Sequence, residues 1–158
     1  MSEKGNVFPQ IPATNVNVAK TNREKRYCFQ FPVMMKYLKK KAEGWSIADF
    51  LRGIGAKRVV LYAVSDFTGI VIKDIVNCKE PVEIVCVCDR NSEAYAGGYE
   101  SCKVVNPDEM LDMYENKRID KILVCSIMHE KNIFEDLTGR GISLDDLISI
   151  NAAIYREV

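Results

Sequence analysis

Long apolar runs are missing from this sequence. No stretch approaches the roughly 18 apolar residues of a membrane-spanning helix, so no membrane span is expected. Paired cysteines are missing as well. Six cysteines stand at positions 28, 78, 86, 88, 102 and 125 without one C-x-x-C pair, which argues against a zinc site or a disulfide framework. Histidine occurs once, at His129, too few to found a metal site without scattered carboxylates. Net charge is absent too: 22 Lys+Arg balance 22 Asp+Glu, so no global field favours nucleic acid as a partner. The first thirty residues hold no apolar segment of the secretory kind. Cys86, Cys88, Cys102 and Cys125 sit in apolar runs, as small core residues do in a reducing compartment. Together these absences predict a cytoplasmic protein.

What is present suits one globular domain. The chain has 158 residues, 47% apolar and 28% charged, enough for a sizeable core without staples. Its charge is unevenly spread. Residues 1–44 carry nine Lys/Arg and three Glu, leaving an acidic body behind a basic leader. Such a leader either lies against that body or meets an anionic surface elsewhere. Residues 1–30, with Pro9, Pro12 and many Asn and Thr, read as an extended polar arm. Residues 31–55 read as two lead-in helices. In the first, Val33, Met34, Tyr37, Leu38 and Ala42 recur at helical spacing opposite lysines, a pattern that favours docking on the domain over lying on an anionic membrane. The second opens on Ser46 and carries Ile47, Phe50, Leu51 and Ile54 on one stripe.

From residue 56 to 158 strands alternate with helices. Strands are predicted over 58–64, 82–88, 102–105, 121–127 and, briefly, 142–144; helices over 66–77, from Pro107, over 130–137 and over 145–155. The strands are continuous apolar runs, as in parallel strands buried on both faces. The alternation implies right-handed βαβ units and an α/β domain of Rossmann-like, three-layer form with a mostly parallel sheet.

In such folds ligands bind beyond the C-terminal ends of the strands. The first strand-to-helix turn reads Tyr62-Ala63-Val64-Ser65-Asp66-Phe67-Thr68-Gly69. Laid on G-x-G-x-x-G, the glycine positions hold Ala63, Ser65 and Thr68. Ala63 suits a tight turn only while its φ stays negative. Ser65 occupies space that a pyrophosphate would use, and Thr68 spreads helix from strand, with Gly69 recovering some room. Asp66 competes with an anion for the helix N-terminus, so Ser65 or Asp66 is first of all a helix cap. Asp89, at the end of the second strand, either hydrogen-bonds a ribose or ends the strand in a polar turn; Arg90 beside it either meets a phosphate or belongs to that turn. Ser126 and His129 fall at the same rim after the fourth strand. His129 with Glu130 suggests acid–base work, but no nucleophile or third partner accompanies them.

Several motifs carry a resemblance: "MKYLKKKAEGWSIADFLRGIGAKRVVLYAV", a strand ending in "CDRN", then "VNPDEM", "DKILVCSI" and "ISLDDLI". They resemble a Rossmann-like module of bacterial surface-polysaccharide biosynthesis, similar to the N-terminal domains of sugar O-acyltransferases and nucleotide-sugar dehydratases. The resemblance implies that Tyr62 to Thr68 face nucleotide phosphates and Asp89 a ribose. Its glycine motif is degenerate here, and no acyltransferase repeat or Y-x-x-x-K signature follows, which implies an accessory rather than a catalytic domain.

Three readings follow, in order. The first is an accessory module binding a nucleotide or nucleotide-sugar through Ala63, Ser65, Asp66, Phe67, Thr68, Asp89, Arg90, Ser126 and His129, with NAD(P) or a nucleotide-sugar as candidate ligand. The second is an interaction domain that has lost its ligand and docks a glycosyltransferase, another surface-glycan enzyme or a second copy of itself. The third is a small NAD- or nucleotide-sugar-dependent enzyme using His129.

Overall fold

The computed structural model describes residues 22–156. Five strands form one sheet: β1 (Arg58–Tyr62), β2 (Glu83–Cys88), β3 (Val104–Val105), β4 (Lys121–Val124) and β5 (Leu147–Ser149). Their order is β3-β2-β1-β4-β5 and every pairing is parallel. Six helices accompany them: α1 (Asn22–Ala42), α2 (Ile47–Gly53), α3 (Asp66–Val76), α4 (Pro107–Glu115), α5 (Glu130–Gly139) and α6 (Ile150–Tyr155).

The period-2 alternation of the strands sorts the core into two layers. Val59, Leu61, Val87, Leu123 and Ile148 face α1, α2, α3 and α6. Val60, Tyr62, Cys86, Cys88, Ile122, Val124 and Leu147 face α4 and α5. The continuous apolar runs are therefore what a sheet covered on both sides requires. The chain leaves β1 across one face, through α3, and reaches β4 across the other, through α4. Strand order thus reverses between β1 and β4, which opens a crevice at their C-terminal ends.

Local chemistry fixes the helix starts. Ser46, Ser65, Asn106 and Ser149 each accept a first-turn amide as N-cap, and Pro107 holds the first position of α4. Helix α1 is pinned by Val33 and Tyr37, both buried. The Tyr37 ring meets Trp45 and Phe67 edge-on, at 5.8 and 5.4 Å between centroids. Its hydroxyl and the Lys41 ammonium both reach the Asp74 carboxylate on α3. Burial and that carboxylate together push the Tyr37 phenol well up.

Three expectations need correction. Helix α1 starts at Asn22, so residues 22–30 are helical rather than extended; residues 1–21 lie outside the described residues. Residues 22–31 are free of Gly and Pro and carry Glu24 in the first turn, and the helix tolerates Pro32 beyond them. Leu38 and Ala42 do not dock but face outward. The last strand is Leu147–Ser149 rather than 142–144. Gly141 and Ser143 turn the chain, and it is Leu147 and Ile148 that fall into register with Ile122 and Leu123.

Candidate functional site

The strand β1 ends because Ala63 turns into the left-handed region, at φ +79°. The negative φ expected of an alanine here is corrected: the tight turn of a glycine is kept without the glycine, at a cost on the order of 1 kcal/mol. Several bonds hold Ala63 there. Its amide donates to the Cys88 carbonyl at 2.8 Å, and its carbonyl accepts from the Thr68 hydroxyl at 2.6 Å. Thr68 is fully buried, and its Oγ1 also lies 2.9 Å from Ser65 Oγ, which caps the Thr68 amide at 3.2 Å. Of the two candidates, Ser65 rather than Asp66 is the helix cap.

Asp89 closes the ring from β2. Its Oδ2 accepts the Val64 amide and its Oδ1 the Asn91 amide, both at 2.8 Å. The carboxylate thus ties the first turn to its own turn, combining the rim position with the turn role. From the loop after β2, the Tyr99 hydroxyl donates to the Ser65 carbonyl at 2.8 Å. Gly69 makes room for it, since a Cβ at that position would stand 2.9 Å from the same hydroxyl. The space that Gly69 recovers is therefore given to Tyr99, not to closer contact of helix and strand.

Beside this turn lies a crevice of about 240 Å³. The β1–α3 turn lines it with Ala63, Val64 and Ser65, the end of β2 with Asp89, and the segment after β4 with Cys125 to His129. Helix α1 adds Arg26 and Gln30 from above. The structure thus brings together Ala63, Ser65, Asp89, Ser126 and His129 of the nine residues singled out in the sequence. The other four go elsewhere. Phe67 packs in the core against Tyr37, Thr68 is sealed beneath the turn, and Asp66 is exposed in the first turn of α3. Arg90 pairs with Asp136 of α5, 3.3 Å away.

His129 lies exposed before α5, its amide on Ser126 Oγ at 3.2 Å. The neighbouring Glu130 carboxylate accepts from Asn151 at 2.8 Å. Cys125 lines the crevice but is buried, and burial pushes its thiol up to about 12, far from a reactive thiolate. Among the described residues no three His, Cys, Asp or Glu side chains gather to hold a metal ion. The sequence does not point to Arg26 and Gln30 because residues 1–30 lack an obvious apolar period and read as an arm. The helix formers Glu24, Lys25 and Arg26 were the available signal.

No protein-family model matches this chain, and no curated protein matches it. Among solved structures it is similar to a UDP-D-quinovosamine 4-dehydrogenase from Vibrio fischeri, at 14% identity and a TM-score of 0.47, over 59% of this chain and 76% of that chain. Independently of that likeness, the sheet order and its crossovers make this chain an α/β protein of Rossmann-like fold.

Proposed function

We propose that the chain is a non-catalytic accessory module that holds the phosphate-bearing part of a nucleotide or nucleotide-sugar in the crevice between β1 and β4. The observation that carries this reading is the position of Arg26. It borders the crevice from α1, together with the turn after β1 and the segment after β4, and forms no ion pair among the described residues. A guanidinium there supplies the forked donors that a phosphate takes. Ser126 adds a hydroxyl at the crevice, whereas the Ser65 hydroxyl proton is donated to Thr68. Asp89 keeps lone pairs for a ribose hydroxyl beyond the two amides it already accepts.

Size restricts the ligand. At about 240 Å³ the crevice falls below the roughly 300–1,000 Å³ of sites that enclose a drug-sized molecule. It suits one end of a nucleotide-sugar better than a whole NAD(P). The arrangement of His129 and Glu130 gives no support to catalysis. The motifs "CDRN", "VNPDEM" and "DKILVCSI" support placing the module in bacterial surface-polysaccharide assembly, beside a glycosyltransferase or a related cytoplasmic enzyme.

A second reading rests on a different observation. The polar groups of the first turn satisfy one another through Thr68, Ser65 and Asp89, as expected of an interaction domain that has lost its ligand. Thermal melting with UDP, CDP, ATP, NAD, NADP and UDP-sugars separates the two. Occupancy at about 100 times Kd adds about 2.7 kcal/mol, a rise of roughly 5–10 °C for a chain of this length. A rise that disappears in Arg26→Gln supports the binding module; no rise with any of them favours the interaction domain.

A further inference from the structure

Helix α1 has apolar side chains on two faces. One face, with Val33 and Tyr37, is buried against the domain. The other holds Tyr27, Phe31, Met35 and Leu38, which remain 54%, 65%, 48% and 57% exposed. Their spacings of four, four and three residues align them in one stripe at 100° per residue, roughly 135° round the helix from the docked face. The stripe runs for about 16 Å at 1.5 Å per residue. Scattered exposed apolar residues need no explanation, but four large ones in register on one helix do.

The charge beside the stripe narrows what covers it. Helix α1 carries Arg23, Lys25, Arg26, Lys36, Lys39, Lys40 and Lys41 against a single acid, Glu24. Lys41 is engaged with Asp74, and Lys40 stacks on Trp45 and reaches the Arg156 carbonyl. Lys25, Lys36 and Lys39 form no ion pair among the described residues, and the helical period sets them between the stripe and the docked face, Lys39 nearest the stripe. Two copies packed stripe to stripe would oppose these like charges. An anionic partner is favoured instead, and a protruding apolar ridge suits a surface that deforms around it.

We propose that this face of α1 lies on an anionic lipid bilayer. Tyr27, Phe31, Met35 and Leu38 enter the boundary between headgroups and acyl chains, while Lys25, Lys36 and Lys39 meet lipid phosphates. The helix is then held between the domain on one side and the membrane surface on the other. It does not cross: among the described residues no helix is long and apolar enough to do so.

Flotation of the full chain with vesicles tests this. Vesicles of phosphatidylcholine alone are compared with vesicles containing 30% phosphatidylglycerol, in low and in moderate salt. Binding is expected only with the anionic lipid, and salt weakens it. Each of Lys25→Gln, Lys36→Gln and Lys39→Gln is expected to weaken it about fivefold. Phe31→Ser with Leu38→Ser weakens it by at least about tenfold, with the melting temperature unchanged because neither side chain packs on the domain. Three results would overturn the proposal. One is no binding to anionic vesicles. Another is binding indifferent to the Phe31/Leu38 change, which would mean charge alone. The third is a dimer or an acidic protein complex in solution that the same change dissolves while vesicles are ignored.

Discussion

Replacing Thr68 by valine removes one hydroxyl and almost no volume. In the folded chain that hydroxyl donates to the Ala63 carbonyl at 2.6 Å and lies 2.9 Å from Ser65 Oγ, with no exposure to solvent. Valine leaves the Ala63 carbonyl facing a methyl group. An acceptor orphaned in this way costs about 1–3 kcal/mol, and the extra apolar surface offsets little of it. Ala63 sits at φ +79° and depends on its neighbours to stay there, so the loss falls where the backbone has least reserve. Urea unfolding followed by circular dichroism reads the change as a lower midpoint at unchanged slope. The melting temperature falls by roughly 2–4 °C per kcal/mol. Thr68→Ser keeps the hydroxyl and loses a methyl, about 1 kcal/mol, so it separates the bond from the packing. A valine variant as stable as the parent would refute the idea that this hydroxyl closes the turn.

Other outcomes follow from the same geometry. Asp89→Ala strips the acceptor from the Val64 and Asn91 amides and lowers stability by about 1–3 kcal/mol, read by the same urea titration. The Arg58 guanidinium bonded to Asp120 holds that carboxyl below its ordinary value of 3.8. A depressed folded-state value means stability that is present above 3.8 and lost as pH falls through the lower value. Asp120→Asn should therefore flatten the acid limb of the stability curve below about pH 4, measured by melting at stepwise pH. Maleimide labelling at pH 8 followed by mass spectrometry should modify exposed Cys28 early. Buried Cys86, Cys88 and Cys125 react only after unfolding, since burial pushes their thiols up, Cys86 to about 11.

The strands were legible because burial on both faces leaves continuous apolar runs such as Val59-Val60-Leu61 and Ile122-Leu123-Val124. Ser46, Ser65 and Pro107 marked their helix starts for the same reason: each does chemistry that only a helix N-terminus needs. The short β5 is not legible in the sequence because Ile142 and Leu147 are equally apolar. Only the pairing with β4, a contact far away in sequence, chooses between them. The outward face of Leu38 was hidden by the same ambiguity, since a helix with apolar residues on two sides has no single stripe to read. Ala63, Ser65, Asp89, Ser126 and His129 line the crevice because they stand at or just beyond strand ends, which the sequence marks. The left-handed Ala63 and the arrival of Arg26 are not marked there, because both are imposed by tertiary contacts.

The most direct measurement is a titration of UDP into isotopically labelled protein, followed through backbone amide chemical shifts. A phosphate held in the crevice predicts saturable shifts at Ala63, Val64, Ser65, Ser126 and His129, and their loss in Arg26→Gln. Saturable shifts confined to other parts of the chain, or none at millimolar UDP, would contradict it.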